Sequence, residues 1–129
     1  MILVDTSIWI AVFRKNPSLR IEDALEFDEI VVCLPVIQEV LQGFREERVY
    51  RTARDAMTAL PIVESQMEES LFIEAAELYR SARRQGLTIR SSVDCLIAAC
   101  ALRHDFPVLH KDRDYELLRS ISPLKVRTI

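Results

Sequence analysis

The tightest constraint on how this chain folds is an alternation. Short apolar runs rich in β-branched residues are separated by longer segments with helical periodicity. Ile2-Leu3-Val4 opens the chain, Glu29-Ile30-Val31-Val32-Cys33 is the second run and Pro61-Ile62-Val63 the third. Phe106-Pro107-Val108-Leu109 is the fourth, ending at His110, and Leu124 to Ile129 closes the chain as an edge strand. Runs this short and apolar read as strands buried on both faces. Strands alternating with helices imply βαβ units and a mostly parallel sheet, so the expected fold is α/β, with residues 1–129 as a single domain.

The intervening segments carry their own start and stop signals. Ser7 to Phe13 is apolar and helical in pattern, with Thr6 or Ser7 as the N-cap. Lys15-Asn16-Pro17-Ser18 breaks it, and Ser18 can cap a second short helix through about Phe27. Pro35 stands in the first turn of a helix that carries Glu39 and runs towards Gly43 or Arg45. Glu47 to Leu60 is helical and of mixed charge. From Glu68 to Gln85, Leu71, Phe72, Ala75, Leu78, Tyr79 and Ala82 form one apolar face, and Gly86 stands at the C′ position. A loop from Leu87 to Ser92 leads into Val93 to Leu102, apolar nearly all round and therefore expected to be central. The last helix is expected from Asp112 to about Ser120.

What is scarce narrows the chemistry. The only glycines are Gly43 and Gly86, so phosphate-cradling glycine loops of the Walker A and dinucleotide kinds are absent. Gly-x-Ser-x-Gly is absent too, and neither histidine has a nucleophile and orienting acid beside it. Those two histidines lie six residues apart across Pro107, which does not make a zinc set. Cys33, Cys95 and Cys100 sit in apolar segments without a Cys-x-x-Cys, and are expected to be buried free thiols. No apolar run is long enough to span a bilayer and no secretory leader is visible, so the expected location is the cytoplasm, without a membrane partner. Carboxylates remain as the reactive resource.

Four of them stand out: Asp5 at the end of the first strand, and Glu39, Asp94 and Asp112 near helix starts. Each has a purely structural alternative. Asp5 could N-cap the helix that follows, Glu39 could be a solvated residue on a helix flank, and Asp94 lies three after Ser91, the capping-box spacing. Asp112 could cap the last helix, a service Asp114 also offers. In a parallel sheet, however, ligands bind beyond the carboxyl ends of the strands, where these acids converge. Carboxylates packed together raise one another's pKa, and a hard divalent cation with oxygen ligands removes that penalty. The net charge of −3 argues against a nucleic-acid partner only until such a site is loaded. Basic residues are bunched at Arg45, Arg48, Arg51 and Arg54, and at Arg80, Arg83, Arg84 and Arg90. They are either solvated helix faces or surfaces for phosphate.

Four stretches also resemble a known family: Val4-Asp5-Thr6-Ser7-Ile8-Trp9, Pro35-Val36-Ile37-Gln38-Glu39-Val40, Ser92-Val93-Asp94-Cys95-Leu96-Ile97-Ala98-Ala99, and Val108-Leu109-His110-Lys111-Asp112-Arg113-Asp114-Tyr115. In order and spacing they are similar to PIN-domain ribonucleases, above all the VapC toxins of bacterial type II toxin–antitoxin systems. The resemblance implies a three-layer α/β/α fold and endonucleolytic cleavage of RNA that leaves a 5′-phosphate. It further implies one or two Mg²⁺ ions per site, with Mn²⁺ able to substitute. Asp5, Glu39, Asp94 and Asp112 map onto the family's acidic quartet as metal-binding and catalytic residues, with Asp5 and Asp94 as direct ligands. Ser7 matches a position that supports the site by hydrogen bonding, and Asp114 is an auxiliary acid. Homodimerisation is implied, as is inhibition by a VapB-type antitoxin seated in the active-site groove. His110 departs from the pattern, since many members carry Ser or Thr there; an imidazole could contact phosphate or cap the strand.

Two other classes share parts of this pattern. A receiver-like phosphoacceptor domain has similar length and topology and uses Asp, Mg²⁺ and Lys, for which Lys111 is a candidate. It requires adjacent acids after the first strand, where Asp5 stands alone. An inactive RNA- or protein-binding domain on the same fold would keep the surface without turnover.

Overall fold

The computed structural model describes residues 1–14 and 19–129, so the break read at Lys15 to Ser18 and the cap read at Ser18 lie outside the described residues. Strand β1 is Ile2–Val4, followed by helix α1, Thr6–Phe13. Strand β2, Ile30–Cys33, runs directly into α2, Leu34–Gln42, whose Pro35 occupies the first turn, where its missing N–H is not needed. Then come α3, Glu47–Thr58, and β3, Ile62–Val63. Helices α4, Glu69–Arg84, and α5, Ser92–His104, precede β4, Val108–His110. Helix α6, Arg113–Ile121, and β5, Val126–Thr128, complete the chain.

The five strands are all parallel, in the order β3-β2-β1-β4-β5, with β5 at an edge and helices on both faces giving three layers. Every residue of β1, β2 and β4 is buried, which explains their unbroken apolar character. Burying each such aliphatic side chain stabilises the fold by about 1.5–3 kcal/mol before entropy is counted. The chain leaves β1 towards β2 and β3 on one side, then returns to build β4 and β5 on the other. The direction of winding therefore reverses between β1 and β4, and a crevice opens at their carboxyl ends.

Helix α5 is the central helix its composition predicts, with Cys95 and the run Ile97 to Ala101 buried. Its small residues Ala98, Ala99 and Cys100 let neighbouring elements approach closely, and α4 packs along it through Leu71, Ala75 and Ala82. Arg103 fastens the pair, donating to Glu74 at 2.9 and 3.1 Å and to Ser70 at 2.7 Å. Helix α4 ends in a Schellman motif: Leu87 N–H reaches Ala82 C=O and Gly86 N–H reaches Arg83 C=O, both at 2.9 Å. This needs the φ of +75° that Gly86 adopts. All three cysteines are buried free thiols. Among the described residues no helix is long and apolar enough to cross a membrane.

Three expectations need correction. The helix read up to Phe27 is instead two single 3₁₀ turns, Ile21–Asp23 and Phe27–Glu29. Leu19 and Leu25 are both buried, yet a spacing of six would set them on different faces of a helix. Glu22, Asp23, Glu26, Asp28 and Glu29 would also crowd like charges within adjacent turns. Phe72, placed by its spacing on the apolar face of α4, is 50% exposed, because the buried stripe runs through Leu71 and Ala75 instead. Finally, neither Thr6 nor Ser7 caps α1. Asp5 does, by accepting the Ser7 N–H at 3.0 Å.

Candidate metal centre

The crevice between β1 and β4 is where the acids meet. Asp5, one residue beyond β1, is buried, and both of its oxygens are engaged. Oδ2 accepts from the Ser7 backbone and from Ser7 Oγ at 2.6 Å, while Oδ1 accepts from the Tyr115 hydroxyl at 2.5 Å. Ser7 Oγ in turn accepts the Lys111 N–H at 2.9 Å, so one hydroxyl ties the end of β1 to the turn after β4. Since Asp5 is the cap, Thr6 lies inside the helix, free to donate to Glu39 Oε1 at 2.8 Å.

Asp94 sits in the first turn of α5, only 5% exposed. The capping box suggested by its spacing from Ser91 does not form. The Ser91 N–H that the Asp94 side chain would have to accept is already held by Asp114 Oδ2 at 3.0 Å. Asp94 Oδ1 lies 3.3 Å from the Tyr115 hydroxyl, and Oδ2 is buried with no hydrogen-bond partner among the described residues. Desolvation, followed by Asp114, Asp5 and Asp112, pushes its pKa up to about 9.

Asp112 N-caps α6, its Oδ1 accepting the Asp114 N–H at 2.9 Å. Asp114 is not a spare cap, because it accepts from Arg90 N–H at 3.2 Å and Ser91 N–H, pinning the loop before α5. Asp94, Asp112 and Asp114 each offer an oxygen within 4.8 Å of the others. Glu39, in the body of α2, stands at the rim. Burial first, then the charges of Asp5 and Asp112, raise its pKa, while the Thr6 hydrogen bond opposes the rise.

The structure thus brings Asp94, Asp112 and Asp114 together most closely. Asp5 joins them through the Tyr115 hydroxyl, and Glu39 through Thr6 and its charge coupling to Asp5 and Asp112. Asp114, read as auxiliary, is as central as Asp112. The donor set suits a hard divalent cation. With metal–oxygen distances of about 2.1 Å, opposite ligands of Mg²⁺ stand roughly 4.2 Å apart, close to this spacing. The unpartnered Asp94 Oδ2 is the atom such an ion would satisfy.

Tyr115 is the residue that sequence reasoning missed. It is completely buried, and burial together with the Asp5 and Asp94 charges pushes its phenol pKa well above the usual value. The signal was present: a tyrosine on the inward face of a helix that starts at an acidic turn must find an acceptor for its hydroxyl. His110 is also buried, its ring centroid 5.2 Å from that of Tyr115. Its Nδ1 accepts the Asp112 N–H at 3.1 Å, so the proton sits on Nε2, which lies 3.3 Å from Glu116 Oε1. The imidazole braces the turn after β4.

The two arginine clusters separate. Arg51 and Arg54 pair with Glu47 and Asp55, and Arg80 with Glu77, all on exposed helix surfaces. Arg90, by contrast, joins Lys111 and Arg113 around a cleft of about 490 Å³ that Asp112 and Asp114 also line.

Parallel strands with a carboxylate crevice at the switch point define an α/β domain whose acids are grouped closely enough to share a cation. Comparison with known proteins gives that class its name: residues 2–120 match the PIN domain model, and the chain belongs to the PIN-domain family. Within it, the chain is 35% identical over 131 aligned residues to Ribonuclease VapC11 of Mycobacterium tuberculosis (strain ATCC 25618 / H37Rv). It is equally similar to VapC ribonuclease Mb1587 of Mycobacterium bovis (strain ATCC BAA-935 / AF2122/97). These alignments cover 97% of this chain and 96% of each relative. The fold is also that of solved structures at 18% identity. VapBC2 from Rickettsia felis, bound to a DNA fragment from its promoter, has a TM-score of 0.79 and covers 100% of this chain and 99% of that one. VapBC-1 from nontypeable Haemophilus influenzae has a TM-score of 0.74, covering 99% and 98%.

Proposed function

We propose that the chain is a metal-dependent endoribonuclease toxin that hydrolyses RNA phosphodiester bonds, leaves a 5′-phosphate and is neutralised by a VapB-type antitoxin. The observation that carries this reading is the acid cluster at the β1/β4 crevice, with its unpartnered Asp94 oxygen. The named activity of relatives matched along nearly their whole length supports it. Residues 1–129 would work as one PIN-like domain, in the cytoplasm, as a homodimer that assembles with its antitoxin.

In this reading Asp5, Asp94 and Asp112 hold Mg²⁺, or Mn²⁺ in its place, and Glu39 completes the quartet, with one or two ions per site. The bound ion supplies Lewis acidity, lowering the pKa of a water and neutralising charge on the phosphoryl group. Glu39, its pKa raised by burial, is suited to take the proton that the attacking water loses. Ser7 fixes the orientation of Asp5, and Asp114 holds the loop that presents Asp94. Arg90, Lys111 and Arg113 line the approach and would contact the RNA backbone as sequence-independent cations.

Purified protein should cut total RNA in Mn²⁺, leave 5′-phosphate ends and stop when EDTA or the product of the neighbouring reading frame is added. Asp5→Asn and Asp94→Asn should lose at least about a hundredfold in rate, the scale of lost metal-centred catalysis. Cleavage at wild-type rates by both variants would remove the assignment. RNA binding without turnover in Mn²⁺ would favour the inactive-domain reading, and acyl-phosphate labelling of an aspartate the phosphoacceptor one.

A further inference from the structure

Tyr115 is placed where no cap, strand or core requirement accounts for its hydroxyl. It lies on the inward face of the first turn of α6, with no exposed surface. A phenylalanine would fill the same volume, and burying a hydroxyl among apolar groups costs free energy unless it is bonded. The one acceptor it reaches at short range is Asp5 Oδ1, at 2.5 Å, and the next is Asp94 Oδ1, at 3.3 Å. These two carboxylates come from the end of β1 and the first turn of α5, and no other side chain in the described residues hydrogen-bonds to both. His110, packed against the ring, and Asp112, which caps the helix carrying it, fix where the hydroxyl stands.

We infer that Tyr115 is a positioning residue of the metal centre, whose single phenolic O–H sets how far apart Asp5 and Asp94 stand and which oxygens they turn towards the ion. The inference rests on the metal-site reading above and names the group that preorganises it. The donor itself does not touch the ion. It takes up Oδ1 of Asp5 and stands against Oδ1 of Asp94, leaving Asp94 Oδ2, which has no other partner, for coordination. Two buried carboxylates side by side otherwise repel and splay apart, and a neutral donor between them opposes that without adding charge.

The test is Mn²⁺ titration by calorimetry on the full chain, well below its melting temperature. Tyr115→Phe keeps the ring and should weaken Mn²⁺ binding roughly 10–100-fold, the usual effect of removing a group that orients a ligand. In an Asp5→Asn background the same substitution should cost much less, because its acceptor has changed. A role confined to stability would change at most the melting temperature of Tyr115→Phe while leaving the Mn²⁺ dissociation constant unchanged, and that result overturns the inference. If the variant does not fold, ¹³Cζ-tyrosine labelling of the wild-type chain reads the same contact. On Mg²⁺ saturation the Tyr115 resonance should move while those of Tyr50 and Tyr79 stay; a stationary Tyr115 resonance overturns the proposal. Wild-type protein that binds neither ion overturns the metal site itself, a failure distinct from that of Tyr115.

Discussion

Replacing Asp94 by Asn should make the metal-free protein more stable at alkaline pH, although it removes a residue central to the site. Asp94 is crowded by Asp114, Asp5 and Asp112 and desolvated, so its folded pKa lies near 9 against 3.8 for an ordinary aspartate. Between those values the native state holds one proton that the unfolded chain has released. Stability is then fully present below about pH 4 and is lost as pH rises towards 9, with a limiting slope of about 1.4 kcal/mol per pH unit. Water entering the crevice screens the interaction and makes that slope an upper bound. A chain of this length unfolds with roughly 270 cal/mol/K of entropy, so 1 kcal/mol corresponds to about 4 °C in melting temperature. In EDTA the wild-type melting temperature should therefore fall, relative to Asp94→Asn, by about 2–5 °C per pH unit between pH 5 and 8. Taking the difference between the two proteins cancels groups they share. Adding Mg²⁺ at a hundred times its dissociation constant should restore about 2.7 kcal/mol to the wild type and nothing to the variant. Parallel melting curves in EDTA across that pH range would refute the electrostatic reasoning.

Ser7→Ala deletes a hydroxyl bonded to Asp5 and to the Lys111 N–H, and should cost about 1–3 kcal/mol in urea unfolding. A change within experimental error would mean that the β1 and β4 turns are held by other contacts. Gly86→Ala should cost about 1–2 kcal/mol through φ alone, because a Cβ there meets nothing within 4 Å. It should leave Mn²⁺ affinity unchanged, and a shifted affinity would argue that α4 is coupled to the site.

How much was legible depended on whether a signal was local. β1, β2 and β4 were readable because strands buried on both faces are apolar without interruption, and Gly86 because an αL cap selects glycine. The segment from Leu19 to Glu29 was not, since its two buried leucines are fixed by tertiary packing rather than by a helical period. Tyr115 escaped for a related reason. Its partners lie 110 and 21 residues away, so the need of a buried phenol for an acceptor was readable but the identity of that acceptor was not.

The structural and functional explanations of the acids turn out not to compete. Asp5 and Asp112 are both N-caps, Asp94 lies in the first turn of α5, and Asp114 in the first turn of α6. Two helices therefore direct an N-terminal N–H group at an acid of the crevice, and the start of a third lies beside them; a positive dipole end favours a nearby carboxylate by about 0.3–1 kcal/mol, or more when partly buried. Capping is the means by which the fold tolerates so many acids in one place before any cation arrives. Glu39 shows the converse. It sits in the body of α2 with only the Thr6 hydroxyl in support, and its carboxyl takes up a proton more readily than usual. Asp94, whose side chain accepts no cap hydrogen bond, is likewise pushed towards its protonated form by burial and its acidic neighbours. Cap hydrogen bonds thus orient Asp5 and Asp112, whereas Asp94 and Glu39, which receive none from a helix N-terminus, both hold a proton more readily than usual.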